Sequence, residues 1–326
     1  MNKLYPLKFR PVFKDKIWGG SKIKNLLGLN YGNLFNCGEA WVLSGVNRNE
    51  TIVSEGFLEG NELNELVEIY MDDLVGEKVY KKYQNEFPIL VKFIDANDYL
   101  SIQVHPDDAL AQQRGLGNGK TEMWYIISAE EGAELISGFN RIMDKKTYLH
   151  HLKNNTLQEI LNVEKVKAGD VFFMPAGRVH ALGPGILMAE IQQTSDITYR
   201  IYDYDRTDSS GKRRDLHTEE ALDAIDFEFY DSYRSHYPSI KNKSVEVVNQ
   251  PFFTTHIIHL DQPVSRDYSA LDSFVICTCV HGEVEIIYPE GKIGLKLGEC
   301  LLIPNEINEI RILPLIESKI LETFIL

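Results

Sequence analysis

Cysteine is scarce in this chain, with four residues in 326. So few thiols in so long a chain exclude the disulfide framework of a small secreted domain. Cys277 and Cys279 stand two residues apart, and this spacing predicts two buried thiols on one face of a strand. No apolar stretch reaches the roughly 18 residues of a membrane span, and the N-terminus shows no apolar core typical of a signal peptide. We therefore expect a cytoplasmic protein without membrane-spanning segments.

Positive charge is also in short supply, since 34 lysines and arginines face 48 aspartates and glutamates, for a net charge of −14. This balance disfavours nucleic acid and acidic membranes as partners. Lys212, Arg213 and Arg214 form the one compact basic cluster. A negatively charged small molecule would therefore need cations that the fold gathers locally. The sequence leaves the oligomeric state open, with a monomer or a weak dimer expected.

Short β-forming runs separated by glycine and proline turns dominate the chain. This pattern predicts a mainly β protein of the sandwich or barrel type, not a parallel α/β sheet. Helical insertions are expected at about residues 57–85, 106–115, 141–162 and 217–226. A length of 326 residues exceeds one typical core and favours two domains.

Two local patterns predict details of these helices. Between residues 61 and 74, apolar side chains recur at helical spacing, which predicts a stripe packed on the core. The stripe comprises Leu63, Leu66, Val67, Tyr70, Met71 and Leu74. Thr156 is followed three residues later by Glu159, which predicts a capping box within the third insertion.

A spacing of glycine and proline occurs twice in the chain. Gly169 and Pro175 enclose an acidic residue and an apolar run, and so do Gly298 and Pro304. We interpret the two segments as copies of one β-module, with domains at residues 1–244 and 245–326. The first copy continues to a glycine and a histidine that the second lacks, so we predict that the C-terminal domain binds no metal and packs against the first.

The run YLSIQVHP at residues 99–106 predicts a strand with an unusual polar face. Alternation places Ser101, Gln103 and His105 on one face, and it places Leu100, Ile102 and Val104 on the other. Glutamine and histidine two residues apart can reach one metal ion, although a lone strand histidine is more often structural. Further along, Lys120, Glu122 and Trp124 share the face of a second strand, where a buried glutamate needs a cation.

Residues 169–180 follow the pattern Gly-x5-Pro-x-Gly-x2-His, which matches the second signature of the cupin superfamily. In that superfamily the final histidine, here His180, is a metal ligand inside a small jelly roll. Together with Gln103, His105 and Glu122, it offers two imidazole nitrogens and two oxygens. This set suits one Zn²⁺ per chain with a position left open, and it would also accept Fe²⁺ or Mn²⁺.

Several segments resemble the type I mannose-6-phosphate isomerases, which are zinc-dependent enzymes with two cupin-type jelly-roll β-barrels. The segments that carry this resemblance are SIQVHPDD, GKTEMW, PAGRVHALGPGILMAEIQQTSDITYRIYDYDR, KDKIWGG and GEAWVLSG. The resemblance implies that Gln103, His105, Glu122 and His180 bind zinc, that Arg200 is the active-site arginine, and that the substrate is a phosphorylated hexose.

The resemblance leaves the phosphate contacts open. Arg206 stands six residues after Arg200, where some members of the family carry a lysine assigned to the substrate phosphate. An arginine can do this bidentately. The candidates are Ser101, Lys120 and Arg206.

Aldose–ketose interconversion also requires a base, for which Glu190, Asp196 and Lys120 are candidates. Strand alternation predicts that Thr198, Arg200, Tyr202 and Arg206 face one site. Two other functions compete with the isomerase, namely a sugar-sensing cupin without catalysis and an iron-dependent cupin oxygenase. Gln103 stands where many cupins carry histidine, which counts against the oxygenase.

Overall fold

The computed structural model describes residues 3–207 and 211–326. The N-terminal part of the chain, called the N-terminal half below, forms fourteen of the described strands. They are β1 (Phe9–Arg10), β2 (Val12–Gly20), β3 (Cys37–Leu43), β4 (Ile52–Val53), β5 (Ile89–Ala96), β6 (Ile102–Val104), β7 (Glu122–Ala129), β8 (Glu134–Phe139), β9 (Leu161–Lys165), β10 (Val171–Met174), β11 (His180–Leu182), β12 (Ile186–Gln193), β13 (Tyr199–Tyr202) and β14 (Arg234–Ser235).

The C-terminal part contains only strands among its described regular elements. They are β15 (Ser244–Gln250), β16 (Phe253–Leu260), β17 (Val264–Asp267), β18 (Val275–His281), β19 (Glu283–Tyr288), β20 (Gly291–Lys296), β21 (Cys300–Ile303), β22 (Glu309–Pro314) and β23 (Ser318–Phe324). The strands from β15 onward form what is called the C-terminal half. The predicted mainly β fold is therefore confirmed. Each half is built mainly from two facing antiparallel sheets of the jelly-roll type, and within the described residues these sheets do not close into a continuous barrel.

Apart from the short α1 (Lys22–Asn25), the described helices lie within the residue ranges where the sequence predicts insertions. They are α2 (Leu63–Val75), α3 (Glu77–Tyr83), α4 (Asp108–Gln113), α5 (Lys145–Lys153), a 3-10 turn (Leu157–Ile160) and α6 (Thr218–Ala224). Asp107 caps α4, because its carboxylate accepts a hydrogen bond of 2.8 Å from the Leu110 N–H. Among the described helices, none is long and apolar enough to cross a membrane.

Two details of the predicted helices are wrong. Met71 does not belong to the packed stripe, since its φ of 44° kinks α2 and its side chain is 44% exposed, whereas Tyr70 packs partly buried against the core as predicted. The capping box does not form either. The Thr156 hydroxyl lies 2.9 Å from Nδ1 of His151, and a short 3-10 turn leads straight into β9.

The N-terminal half pairs a seven-stranded sheet, in the order β14-β10-β7-β12-β5-β3-β2, with a five-stranded sheet, in the order β13-β6-β11-β8-β9. Between them lies an apolar core that includes Trp124, Phe172, Leu135 and Leu182. Strand alternation turns every second residue of the larger sheet toward this interior and the others toward the opposite face. The interior is therefore where polar side chains would form a cavity.

The opposite face of the seven-stranded sheet packs on two partners at once. Its apolar residues, such as Phe93 and Ile191, share one core with α2 and with the C-terminal sheet β15-β16-β23-β18-β21. Within the described residues each sheet takes its strands from one side of residue 244, although a bridge joins Leu7 to Leu302. The domain division at residue 244 stays a prediction, which this arrangement supports.

The two Gly-x5-Pro segments form the same structure. The N–H of Gly169 donates to the Ile126 carbonyl at 2.8 Å, and the N–H of Gly298 donates to the Cys279 carbonyl at 3.1 Å. Both glycines have positive φ angles of about 90°. Counting back four residues from each carbonyl shows that Glu122 in β7 corresponds to Val275 in β18.

The C-terminal half has a core of its own between its two sheets. Cys277 and Cys279 both lie in this core, as predicted for two thiols on one strand face. Burial raises the pKa of Cys279 to about 12. Protonated, buried thiols are poor metal ligands, which supports the prediction that this half binds no metal.

Candidate metal centre and substrate cavity

Two adjacent strands of the five-stranded sheet, β6 and β11, and one strand of the facing seven-stranded sheet, β7, bring the predicted ligands together. His105 follows β6, Glu122 opens β7, and His180 opens β11, where it pairs directly with Gln103. Ligand atoms of the two histidines and the glutamate all lie within 4.8 Å of one another, and all three residues are buried. Nε2 of His105 is 3.1 Å from one carboxylate oxygen of Glu122, and Nε2 of His180 is 3.9 Å from the other.

Backbone carbonyls fix the orientation of both imidazoles. Nδ1 of His105 lies 2.7 Å from the Ile197 carbonyl, and Nδ1 of His180 lies 2.8 Å from the Arg178 carbonyl. A proton on each Nδ1 satisfies these carbonyls and leaves Nε2 with its lone pair toward Glu122. Burial lowers the pKa of His105 to about 3 and also lowers the pKa of His180, so both are neutral, as metal ligands must be.

The Glu122 carboxylate is negatively charged in this buried position. Burial alone would raise its pKa, but the positive charge of Lys120 holds the pKa well below its usual range. The ammonium of Lys120 donates a hydrogen bond to Glu122 and lies 3.2 Å from Nε2 of His105. The amide of Gln103 completes the group, with its nitrogen 3.3 Å from Nε2 of His180. The donor set therefore fits a divalent metal ion.

A row of two charged side chains between two tryptophans crosses the seven-stranded sheet next to this group. In direct register across four adjacent strands stand Trp41, Lys92, Glu190 and Trp124. The Lys92 ammonium lies 4.9 Å from the Trp41 ring centre and 3.2 Å from a carboxylate oxygen of Glu190. The row fixes a buried ion pair within the cavity wall.

A cleft opens beside the ligands and encloses about 620 Å³, including its mouth. Five cationic side chains line the cleft, and they are Lys16, Lys92, Lys120, Arg200 and Arg214. Three anionic side chains accompany them, and they are Glu39, Glu190 and Asp196. In a chain of net charge −14, this local excess of positive charge favours an anionic ligand.

Most of the predicted site residues meet in this cleft. Its lining includes Ser101, Gln103, Lys120, His180, Glu190, Asp196 and Arg200. Leu100 lies on the same side as Ser101, contrary to the predicted alternation, because β6 begins only at Ile102. Arg200 lies beside Gln103 across the β13–β6 pair. Its half-buried guanidinium donates 2.9 Å to the Asp215 carbonyl.

The predicted single face from residue 198 to 206 is wrong beyond Arg200. A register shift between Arg200 and Tyr202 turns Tyr202 into the core on the other side of the sheet. Arg206 is absent from the described lining of the cleft. It donates instead to Asp203 at 2.7 Å and to the Tyr99 carbonyl.

The sequence analysis did not assign to the site five charged or aromatic residues of the cleft wall. They are Lys16, Trp18, Glu39, Lys92 and Arg214. The sequence could have pointed to Lys92, because a lysine within the apolar strand PILVKFIDA must pair with an acidic group once it is buried. Glu39 is held by Lys16 at 3.0 Å and by the Trp41 indole at 2.7 Å. Although burial opposes it, the charge of Lys16 lowers the pKa of Glu39 to about 2.

Comparison with known proteins agrees with this architecture. Residues 6–135 match the type I phosphomannose isomerase catalytic domain, and residues 243–314 match the mannose-6-phosphate isomerase cupin domain. The mannose-6-phosphate isomerase of Streptococcus mutans is 34% identical over 304 residues, which are 93% of each chain. Mannose-6-phosphate isomerase ManA of Bacillus subtilis is 34% identical over 313 residues, covering 94% of this chain and 95% of its own.

Solved structures lead to the same fold. The crystal structure of mannose 6-phosphate isomerase from Bacillus subtilis superposes with a TM-score of 0.88 at 31% identity, covering 98% of this chain and 99% of that one. A variant phosphomannose isomerase from Salmonella typhimurium gives 0.78 at 17% identity over 98% of this chain and 99% of its own, which bears on the fold alone.

The paired jelly-roll sheets and the buried His–Glu–His group define a cupin-type protein with a candidate metal centre beside a cleft in which cationic side chains outnumber anionic ones. Within that class, the full-length similarity is specific. The chain belongs to the type I mannose-6-phosphate isomerase family.

Proposed function

We propose that this protein interconverts mannose 6-phosphate and fructose 6-phosphate. The observation that supports this proposal most directly is a single cleft in which a buried His–Glu–His group lies next to five cationic side chains. A phosphorylated sugar would use both parts, because a metal ion held by the His–Glu–His group would bind its hydroxyls while the cationic side chains match the charge of its phosphate. The full-length relatives bear the same activity in their names.

The metal we propose is one Zn²⁺ per chain, held by Gln103, His105, Glu122 and His180. Two imidazoles, one carboxylate and one amide oxygen suit Zn²⁺, and one position stays open for substrate. When bound, the ion supplies positive charge that polarises the substrate oxygens. The four free, buried cysteines support a reducing compartment, and we place the reaction in the cytoplasm.

Isomerisation moves a proton from C2 of the aldose to C1, while the hydroxyl proton passes from O2 to O1. We assign the carbon proton to Asp196, whose exposed carboxylate lines the cleft. Glu190 is less accessible, since the Trp124 indole and Lys92 hold it in the wall. Lys120 is engaged by Glu122. Geometry therefore favours Asp196 among the three predicted bases.

Arg200 is the group we assign to the negative charge that develops on the enediolate oxygens. Its Nε is buried without a hydrogen-bond partner among the described residues, and its side chain lines the cleft. An unpaired donor in that position is available to a substrate oxygen. Its planar, permanently charged guanidinium suits this role better than a lysine would.

The test combines metal analysis with an assay of mannose 6-phosphate conversion before and after chelation. We expect about one zinc per chain, activity lost on chelation and activity restored by Zn²⁺. Turnover that survives complete removal of metal would contradict the metal centre. Metal and sugar binding without turnover would indicate a sensor, and oxygen consumption with bound iron would indicate an oxygenase.

A further inference from the structure

The basic cluster Lys212-Arg213-Arg214 has no role in the reaction as assigned above. The fold separates the side chains of its last two members. Arg213 projects outward, where its side chain is 66% exposed and pairs with Asp205 at 2.9 Å. Arg214 turns inward and lines the cleft together with Arg200 and Ser101. One member of the cluster therefore brings its charge to the cleft.

A buried carboxylate fixes the orientation of Arg214. Asp203 is only 5% exposed, and it accepts hydrogen bonds from Nε of Arg214 at 2.7 Å and from Nη2 of the same guanidinium. Such a paired contact sets the plane of the guanidinium as well as its position. Among the described residues, none accepts a hydrogen bond from the remaining nitrogen, Nη1.

Arg206 supports this arrangement from behind. Its Nη2 donates to the same carboxylate of Asp203 at 2.7 Å, and its Nη1 donates to the Tyr99 carbonyl. Tyr99 lies two residues before Ser101. This contact therefore connects the Asp203–Arg206 pair to the segment that carries the Ser101 hydroxyl. Arg206 thus holds Asp203, while Arg214 faces the cleft.

Arg200 and Arg214 carry like charges into one confined space. Burial lowers the pKa of Arg200, and the nearby charge of Arg214 lowers it further. Two guanidinium groups that repel each other are stabilised when an anion binds between them or beside them. A phosphate group has the charge and the oxygen spacing for a guanidinium fork.

We propose that Arg214, oriented by Asp203, binds the phosphate group of the substrate and so determines the preference for phosphorylated over unphosphorylated sugars. The assignment rests on the proposed function, because it concerns the same cleft. It replaces Arg206 as the phosphate contact and makes Arg206 a positioning residue.

The experiment compares Arg214→Ala with Arg213→Ala, its exposed neighbour in the same cluster. Titration of the zinc-loaded protein with inorganic phosphate measures anion binding without any need for turnover. We expect Arg214→Ala to weaken phosphate binding about tenfold to hundredfold, as for a lost charge-assisted contact, and Arg213→Ala to leave it unchanged.

Steady-state kinetics give the second measurement. Arg214→Ala should raise KM for mannose 6-phosphate about tenfold or more while kcat changes little, and it should leave any turnover of unphosphorylated mannose as it is in the wild type. An equal loss with both sugars, or unchanged phosphate binding, would overturn the assignment. Wild-type protein that binds phosphate through Arg214 yet never isomerises the sugar would refute the proposed function and leave the anion site standing.

Arg214→Lys guards against a variant that simply misfolds. The lysine keeps the positive charge but cannot form the two-point contact with Asp203. We expect a folded protein, shown by an unchanged thermal midpoint, with phosphate affinity between those of wild type and Arg214→Ala. Wild-type affinity for phosphate in a folded Arg214→Ala would contradict the proposal directly.

Discussion

The indole of Trp124 connects two buried carboxylates that serve different purposes. Its Nε1 lies 3.0 Å from an oxygen of Glu122, a predicted metal ligand, and 3.0 Å from an oxygen of Glu190 in the cavity wall. The edge of the same ring meets His180, with ring centres 5.2 Å apart at 86°. One side chain therefore positions two of the proposed ligands.

Replacement of Trp124 by phenylalanine should weaken metal binding while the fold persists. The variant keeps most of the apolar volume but loses the N–H that orients Glu122, and losses of this kind typically cost about 10–100-fold in metal affinity. Competition with a metal chelator measures the effect. Tyr125→Phe is the matched control, because Tyr125 faces the other side of the sheet. Equal zinc affinity in both variants would show that the indole does not position the ligand.

Arg200→Ala should separate chemistry from metal binding. We expect kcat to fall by about 100-fold or more, because one donor to the developing oxyanion is lost. Zinc content and thermal midpoint should stay near those of wild type, and Arg141→Ala, which removes an exposed arginine, should change none of the three. A rise in KM with kcat intact would instead make Arg200 a phosphate contact.

At the scale of elements, the two glycine turns show how closely the halves of the chain correspond. In each turn an acidic side chain accepts from the N–H three residues before it, from Lys167 to Asp170 at 2.9 Å and from Lys296 to Glu299 at 3.1 Å. The surroundings of the two turns differ. A side chain at Gly298 would meet Cβ of Leu27 at 2.7 Å, whereas at Gly169 the nearest atom is 3.8 Å away.

The pair Gly169→Ala and Gly298→Ala uses this difference. Both variants place a Cβ at a positive φ, which we expect to cost about 1–2 kcal/mol of the free energy of unfolding. Gly298→Ala should cost about 1–3 kcal/mol more, because Leu27 must move. Urea unfolding followed by circular dichroism measures both. Equal losses would mean that Leu27 shifts freely.

Strand alternation predicted the candidate site well and failed where strands are short or bulged. It placed Glu122 and Trp124 on one face of the regular strand β7, where they contact each other, and it placed Gln103 and His105 on one side, where both contact His180 although His105 lies just past β6. It failed at Leu100, which precedes β6, and at Tyr202, which follows a register shift. Local sequence cannot show a bulge, since the partner strand decides the register. Strand alternation also could not predict Arg214 as a cleft residue, because a loop and not a strand brings it there.

For the whole molecule, one apolar core joins the two halves. Phe274 of the C-terminal half is fully buried, and its ring centre lies 4.6 Å from that of Phe87 in the N-terminal half. The same core includes the outer face of the sheet whose other face lines the cleft. The C-terminal half therefore stabilises the catalytic sheet from behind.

Phe274→Ala should destabilise the protein without touching the metal centre. Loss of a buried phenylalanine typically costs about 3–5 kcal/mol of the free energy of unfolding. Urea denaturation measures the loss, and zinc content of the folded variant should equal that of wild type. Tyr288→Ala, a partly buried position in the outer sheet, serves as the comparison and should cost less. Loss of zinc from folded Phe274→Ala would show that the two halves are coupled at the ligands.

The row of aromatic and charged side chains across the large sheet also makes the protein its own optical probe. The chain has three tryptophans, and Trp18 and Trp124 line the cleft while Trp41 lies under Lys92 in its wall. Residues 244–326 contain none. Intrinsic tryptophan fluorescence therefore reports the cleft and its immediate wall, and a change in emission on adding metal or sugar phosphate originates there. The same fluorescence does not report on the C-terminal half, whose unfolding has to be followed by another method such as circular dichroism.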